Sequence, residues 1–149
     1  MASTKWETLK DLRQRKVDHA HALLLETEKR KTEAVQSLNQ VLGYIKEYRA
    51  KIKADENATV SVSNLSRSRH FLQQLIQSSA QQEHLCIQLT YQAQQDQAEL
   101  MRCRADLKAI EKLDEKDRHL ERKKIAEREA KDLDELARSQ FLGNLHPHG

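Results

Sequence analysis

Residues 55–68 read DENATVSVSNLSRS, and this stretch decides the fold. It is built of small polar side chains and β-branched valines, which favour turns and caps over a continuing helix. On both sides of it lies sequence of a different kind. From Tyr44 to Leu142 there is neither glycine nor proline, so nothing outside the 55–68 stretch forces that region to break a helix. Two long helices joined by one polar bend are the simplest reading. Asn64 and the serines at 61, 63 and 66 are candidate N-caps for the second.

Working back towards the N-terminus, apolar residues recur at alternating steps of three and four. Val17, Leu24, Leu38, Ile45 and Ile52 take position a of a heptad, and Trp6, Ala20, Thr27, Ala34, Val41 and Tyr48 take position d. Lys31 is a polar intruder at a. Leu9 and Leu12 fall off this seam, which predicts a drifting register near the start. Thr4 and Glu7 have capping-box spacing, so the first arm is expected over about residues 4–54.

Towards the C-terminus the same spacing runs through Leu72, Leu75, Ser79, Gln82, Cys86, Leu89, Ala93, Leu100, Cys103, Leu107 and Ile110, with Asp96 as a polar break. It is then expected to slip through Leu113 and Leu120 onto a weaker stripe of Ile125, Leu133 and Leu136. Ion-pair spacings, Asp114 to Arg118, Glu127 to Lys131 and Asp134 to Arg138, would support that unpartnered stretch. Phe141-Leu142-Gly143 reads as a helix end, giving a second arm over about 69–142 and a frayed tail over 143–149. Folding the chain near residue 60 sets Ile45 against Leu75 and Ala34 against Cys86. The expected fold is therefore all-α, a single domain formed by a long antiparallel two-helix coiled-coil hairpin with an overhanging C-terminal helix.

Composition narrows the function. Aromatic residues are 4% of the 149 and charged residues 33%, too few and too many respectively for a thick core. The net charge of +3 comes from 26 basic and 23 acidic side chains in mixed order, which is not the one-sided basic face of a nucleic-acid binder. Cys86 and Cys103 lie on the seam, where cysteine packs as a small apolar residue, and suit a reducing cytoplasm. No signal-peptide core opens the chain, and the longest apolar run, around Ala20 to Leu25, cannot span a bilayer. No catalytic set, phosphate loop or cofactor motif is visible, so the chain reads as non-enzymatic. His19 with His21, and His146 with His148, lack a third ligand of fixed geometry, so no metal is expected.

One anomaly remains at the edge of the seam. Position g is ordinarily polar, yet Tyr44 and Phe71 both occupy it, beside Tyr48 and Leu75 at d. These four form a strip near the bend that can serve either as extra packing or as a partner-binding surface.

The stretches ETLKDLRQRKVDHAHALLLE (7–26), LNQVLGYIKEYRAKI (38–52), FLQQLIQ (71–77) and AKDLDELARSQF (130–141) resemble the FliJ family of flagellar type III export. The resemblance implies a coiled coil like that of the gamma subunit of rotary ATP synthases. It implies a non-enzymatic central stalk of a hexameric export ATPase, coupled to the cytoplasmic domain of the export-gate membrane protein and assisting export chaperones. Such a protein would be cytoplasmic, peripheral to the cell membrane at the flagellar base, and monomeric alone. The family's gate-binding strip would fall here on Ser37, Val41, Tyr44 and Tyr48, facing Phe71, Leu75, Ser78 and Gln82. Tyr44, Tyr48, Phe71 and Leu75 match it in type, whereas the other four differ from the family's usual Gln, Leu, Ala and His. ATPase binding would use Trp6, Leu9, Leu12 and Arg13. Two other readings stay open, a homodimeric coiled-coil scaffold with no ATPase partner and an injectisome stalk protein.

Overall fold

The computed structural model describes residues 2–145, and their side chains from 5 to 144. The chain is an all-α hairpin of two long helices that pack against each other, α1 (Ala2–Glu56) and α2 (Val62–Leu145). No strand occurs among the described residues. Packing divides the chain into one unit of Lys16–Cys103 and another of Met1–Arg15 with Arg104–Gly149.

The bend is tighter than its composition suggests. Only residues 57–61 leave the helices, so Val62–Ser68, expected to be part of the bend, already belong to α2. Ser61 explains the difference: its Oγ accepts a hydrogen bond from the Asn64 N–H at 3.3 Å, and its carbonyl accepts the first helical bond from Leu65 at 3.1 Å. Of the four candidate caps, Ser61 is therefore the one used, and the serines behind it are carried as helix residues. Across the bend, Arg69 Nη2 bonds Glu56 Oε1 at 2.7 Å.

In the Lys16–Cys103 unit the heptad holds without exception on α1. Val17, Ala20, Thr27, Ala34, Ile45 and Ile52 are buried, Leu24, Lys31, Leu38, Val41 and Tyr48 are half-buried, and every other residue from 16 to 51 is exposed. On α2 the buried members are Ala93, Asp96 and Leu100. The helices are fastened at mid-seam where Thr27 Oγ1 donates to Asp96 Oδ2 at 2.6 Å. This bond lies three residues beyond the Ala93 that folding near residue 60 would set against Thr27, whereas near the bend Tyr48 meets Phe71, within one residue of the expected pairing.

In the other unit the same spacing continues, and this corrects two expectations. On α1 the register does not drift; it passes through Trp6, Lys10 and Arg13, all half-buried, while Leu12 is exposed. On α2 it does not slip to Leu113 and Leu120, which stay exposed, but runs on through Ile110 to Asp114 and Asp117. Charged side chains hold the seam positions, so a search for apolar periodicity loses the trace there. Every described residue from 118 to 144 is exposed, so the expected overhang is present. It does not end at Gly143: α2 continues to Leu145, and Gly143 keeps an ordinary helical backbone. His146, Pro147 and His148 lie outside the described residues. α1 likewise starts at Ala2, which puts Thr4 inside the helix rather than at its cap. The Thr4 side chain lies outside the described ones. Asp114 pairs with Arg118 as expected, but the spacings at Glu127 and Asp134 close no ion pair among the described residues.

Candidate functional site

Two sets of side chains stand out, one in each unit. In the Lys16–Cys103 unit, α1 supplies Tyr44 and Tyr48 and α2 supplies Phe71 and Leu75. Tyr48 and Phe71 meet across the hairpin, with ring centroids 4.8 Å apart and planes tilted at 46°. That is the offset, tilted geometry which aromatic quadrupoles favour, and it contributes about 0.5–1.5 kcal/mol beyond area burial. The Lys51 ammonium lies 5.5 Å from the centre of the Tyr48 ring and adds a cation–π contact. Tyr48 and Leu75, at d, are half-buried, whereas Tyr44 and Phe71, at g, are 45% and 42% exposed. The strip thus divides by role. Phe71 is both exposed and engaged in packing, and Tyr44 is the ring most available to a partner. Val41, Ser78 and Gln82 are half-buried beside it, and Ser37 is exposed.

In the other unit, two α1 residues bond an acidic end of the α2 seam. Trp6 Nε1 donates to Asp117 Oδ2 at 2.7 Å, and Lys10 Nζ donates to Asp114 Oδ2. Arg118, one turn along α2, donates from Nε to Asp114 Oδ1 at 3.0 Å. The Asp114 side chain is almost fully enclosed and receives a cation on each oxygen. The hydrogen bond from Lys10 holds its carboxyl below the ordinary carboxylate range; burial opposes this, and Arg118 reinforces it. Arg13 is half-buried in the same seam, and its Nε is enclosed without a hydrogen-bond partner among the described residues. Of the four expected ATPase-binding residues, Trp6 and Arg13 are therefore seam members. Leu9 is half-buried, and Leu12 is 48% exposed.

Asp114 and Asp117 are the residues that reading the sequence missed. The signal for them was present as spacing: Ile110, Asp114 and Asp117 continue the four-then-three step of Cys103, Leu107 and Ile110. Among the described residues, no group of His, Cys, Asp and Glu is arranged to hold a metal ion, and no helix is long and apolar enough to cross a membrane.

A protein-family model described as "Flagellar FliJ protein" matches residues 3–146. No curated protein and no solved structure matches the chain.

Proposed function

The chain belongs to the flagellar FliJ family, whose members are non-catalytic components of the flagellar export apparatus, and we propose that within that apparatus it is the central stalk of the hexameric export ATPase. The observation that carries this reading is the unit of Met1–Arg15 with Arg104–Gly149. Two helix segments are fastened there by Trp6–Asp117 and Lys10–Asp114–Arg118, and α2 then continues as bare helix. Cross-links of this kind fix register without adding width, which suits a part that must enter a ring and keep its form. The stalk would raise the ATPase's activity by stabilising the ring, supplying no catalytic group of its own.

Leu12 and Leu9 are the contacts we assign to the ring, with Trp6 and Arg13 holding them in place. A Leu12→Ala variant should keep its helicity and lower ATPase stimulation in a reconstituted assay with the flagellar export ATPase. Unchanged stimulation would move the contact off this face. Loss of co-purification with that ATPase by the unmodified protein would remove the stalk reading altogether.

The strip of Tyr44, Tyr48, Phe71 and Leu75 is, in the same proposal, the docking surface for the cytoplasmic domain of the export-gate membrane protein. Two exposed rings on a thin hairpin support it, since aromatic anchors dominate binding energy. Truncating such an anchor costs about 2 kcal/mol or more, roughly thirtyfold in affinity. Tyr44→Ala should lose that much gate affinity with no change in melting. If it binds as tightly as the parent, the strip is packing only. Assistance to export chaperones and a cytoplasmic position beside the membrane complete the proposal.

A further inference from the structure

Beyond Leu75 the flank that carries the aromatic strip continues along α2 without a charge. Position g of α2 is held in turn by Phe71, Ser78, Leu85 and Gln92, seven residues apart, so they form one row beside the seam. Leu85 is 40% exposed, close to the 42% of Phe71. The rows on either side hold only glutamine and leucine: Gln74, Gln81 and Gln88 at c are exposed, and Leu75, Gln82 and Leu89 at d are half-buried. Glu83, the only Asp, Glu, Lys or Arg from Phe71 to Gln95, sits at e on the opposite flank. The face therefore runs uncharged for about 30 Å, at about 1.5 Å per residue, in a chain that is 33% charged. Charge returns at both ends, with Arg67 towards the bend and with Glu99, the next member of the g row, which pairs with Arg102 at 3.3 Å. On α1 the c row carries Glu33 and Glu47, both exposed, so the uncharged face belongs to α2 and the seam beside it.

A lone exposed leucine is ordinary and calls for no partner. A leucine in the same row as an exposed ring, on a face emptied of charge, has the composition that distinguishes the centre of an interface from the rest of a surface. Resting on the gate reading, we propose that the docking surface extends past the aromatic strip along α2 to Gln88, with Leu85 as a further apolar anchor, and that the gate domain meets it with an uncharged surface. Charge complementarity selects that partner chemistry. A carboxylate or ammonium brought against this face would lose its water and find no opposite charge on the c, g and d rows of α2. The glutamine amides suit an uncharged surface, since each both donates and accepts. Gln92 closes the row, because its Nε2 already donates to Asp96 Oδ1 at 2.9 Å. Leu85 lies about 20 Å along α2 from Phe71, too far for one pocket to take both, so the partner lies along the hairpin rather than touching it at a point.

Titration of the full chain with the gate protein's cytoplasmic domain, in low and in high salt, tests it. Affinity should change less than about threefold between the two, because the face offers no ion pair to screen. Leu85→Ala should weaken binding at least about tenfold with melting unchanged, whereas Ile87→Ala, at b and 61% exposed, should bind as the parent does. Gln81→Glu and Gln81→Lys should both weaken binding, since each buries a charge that has no partner. Loss of affinity in Tyr44→Ala but not in Leu85→Ala would overturn the extension while the gate reading stands. Should Leu85→Ala melt below the parent, the exposed Gln81 position decides, and unchanged affinity in both of its variants would overturn the extension. Tighter binding by either Gln81 variant would show an opposite charge on the gate domain and overturn the uncharged partner. A parent chain that does not bind the gate domain would remove both readings.

Discussion

The two units of the hairpin keep one spacing and fill it with opposite chemistry. From Val17 to Ile52 the seam of α1 is mostly apolar, while from Trp6 to Arg13 it is an indole, an ammonium and a guanidinium, the first two bonded to the carboxylates of Asp117 and Asp114. The difference separates two things that a heptad does. Apolar layers supply the free energy of association, at roughly 25 cal/mol per Å² of surface removed from water. Charged layers return much of their attraction as desolvation, and what they give instead is a fixed register. The Lys16–Cys103 unit therefore holds the helices together, and the other unit keeps them aligned.

The contrast can be broken most severely in the apolar unit. Leu100 is 2% exposed, and Leu100→Ala should cost about 2–5 kcal/mol in denaturant unfolding, the range for a buried leucine whose cavity does not fully collapse. A cost below about 1 kcal/mol would mean that the seam is loosely packed there. A smaller effect is expected at the one polar layer inside that unit. Thr27→Val leaves the buried Asp96 with only its Gln92 bond and should cost about 1–3 kcal/mol. Combining it with Asp96→Leu should recover most of that loss, because replacing both partners removes the unpaired group. If the double variant gains stability but forms mixed oligomers, the layer's purpose was register.

The smallest effect belongs to the charged unit and is read by pH. Because the Asp114 carboxyl titrates lower in the folded chain than its ordinary 3.8, its contribution to stability is complete above that value. It is lost as pH falls from about 4 through the folded-state value. Trp6, the only tryptophan, reports on this unit, since its indole bonds Asp117. Its fluorescence should change in acid before the helical signal of the whole chain does. Asp114→Asn should abolish that early phase, and simultaneous loss of both signals would show that the two units melt as one.

These same layers explain how much of the molecule the sequence revealed. The a and d positions of α1 from Val17 to Ile52 were legible one by one, because apolar residues at those positions have no other reason to recur at three and four. The pairing was legible only to within a turn, since the centre of a polar bend is poorly defined until its cap is known, and any of four residues could have been that cap. The charged end was not legible as seam. Lys10, Arg13, Asp114 and Asp117 have the side chains of a solvated face, and only geometry shows that each sits where a leucine would. The strip was found for its rings, but the stacking of Phe71 on Tyr48, which gives Phe71 a part in packing, depends on the register the sequence left open.

The tight bend bears on how the chain comes to be folded. Contacts near residues 57–61 join positions close in the chain, as with Glu56 and Arg69, 13 residues apart, whereas Thr27 and Asp96 are 69 apart and Trp6 and Asp117 are 111 apart. A chain that closes its short loops first meets each longer one with most of the intervening length already ordered, so the entropy of closure is met in small steps. The hairpin is then expected to close from the Ser61 cap outward, like a zip fastened at its blind end. Ser61→Ala should slow folding, and Trp6→Phe should chiefly speed unfolding. The reverse pattern in stopped-flow kinetics would mean that the free ends meet first.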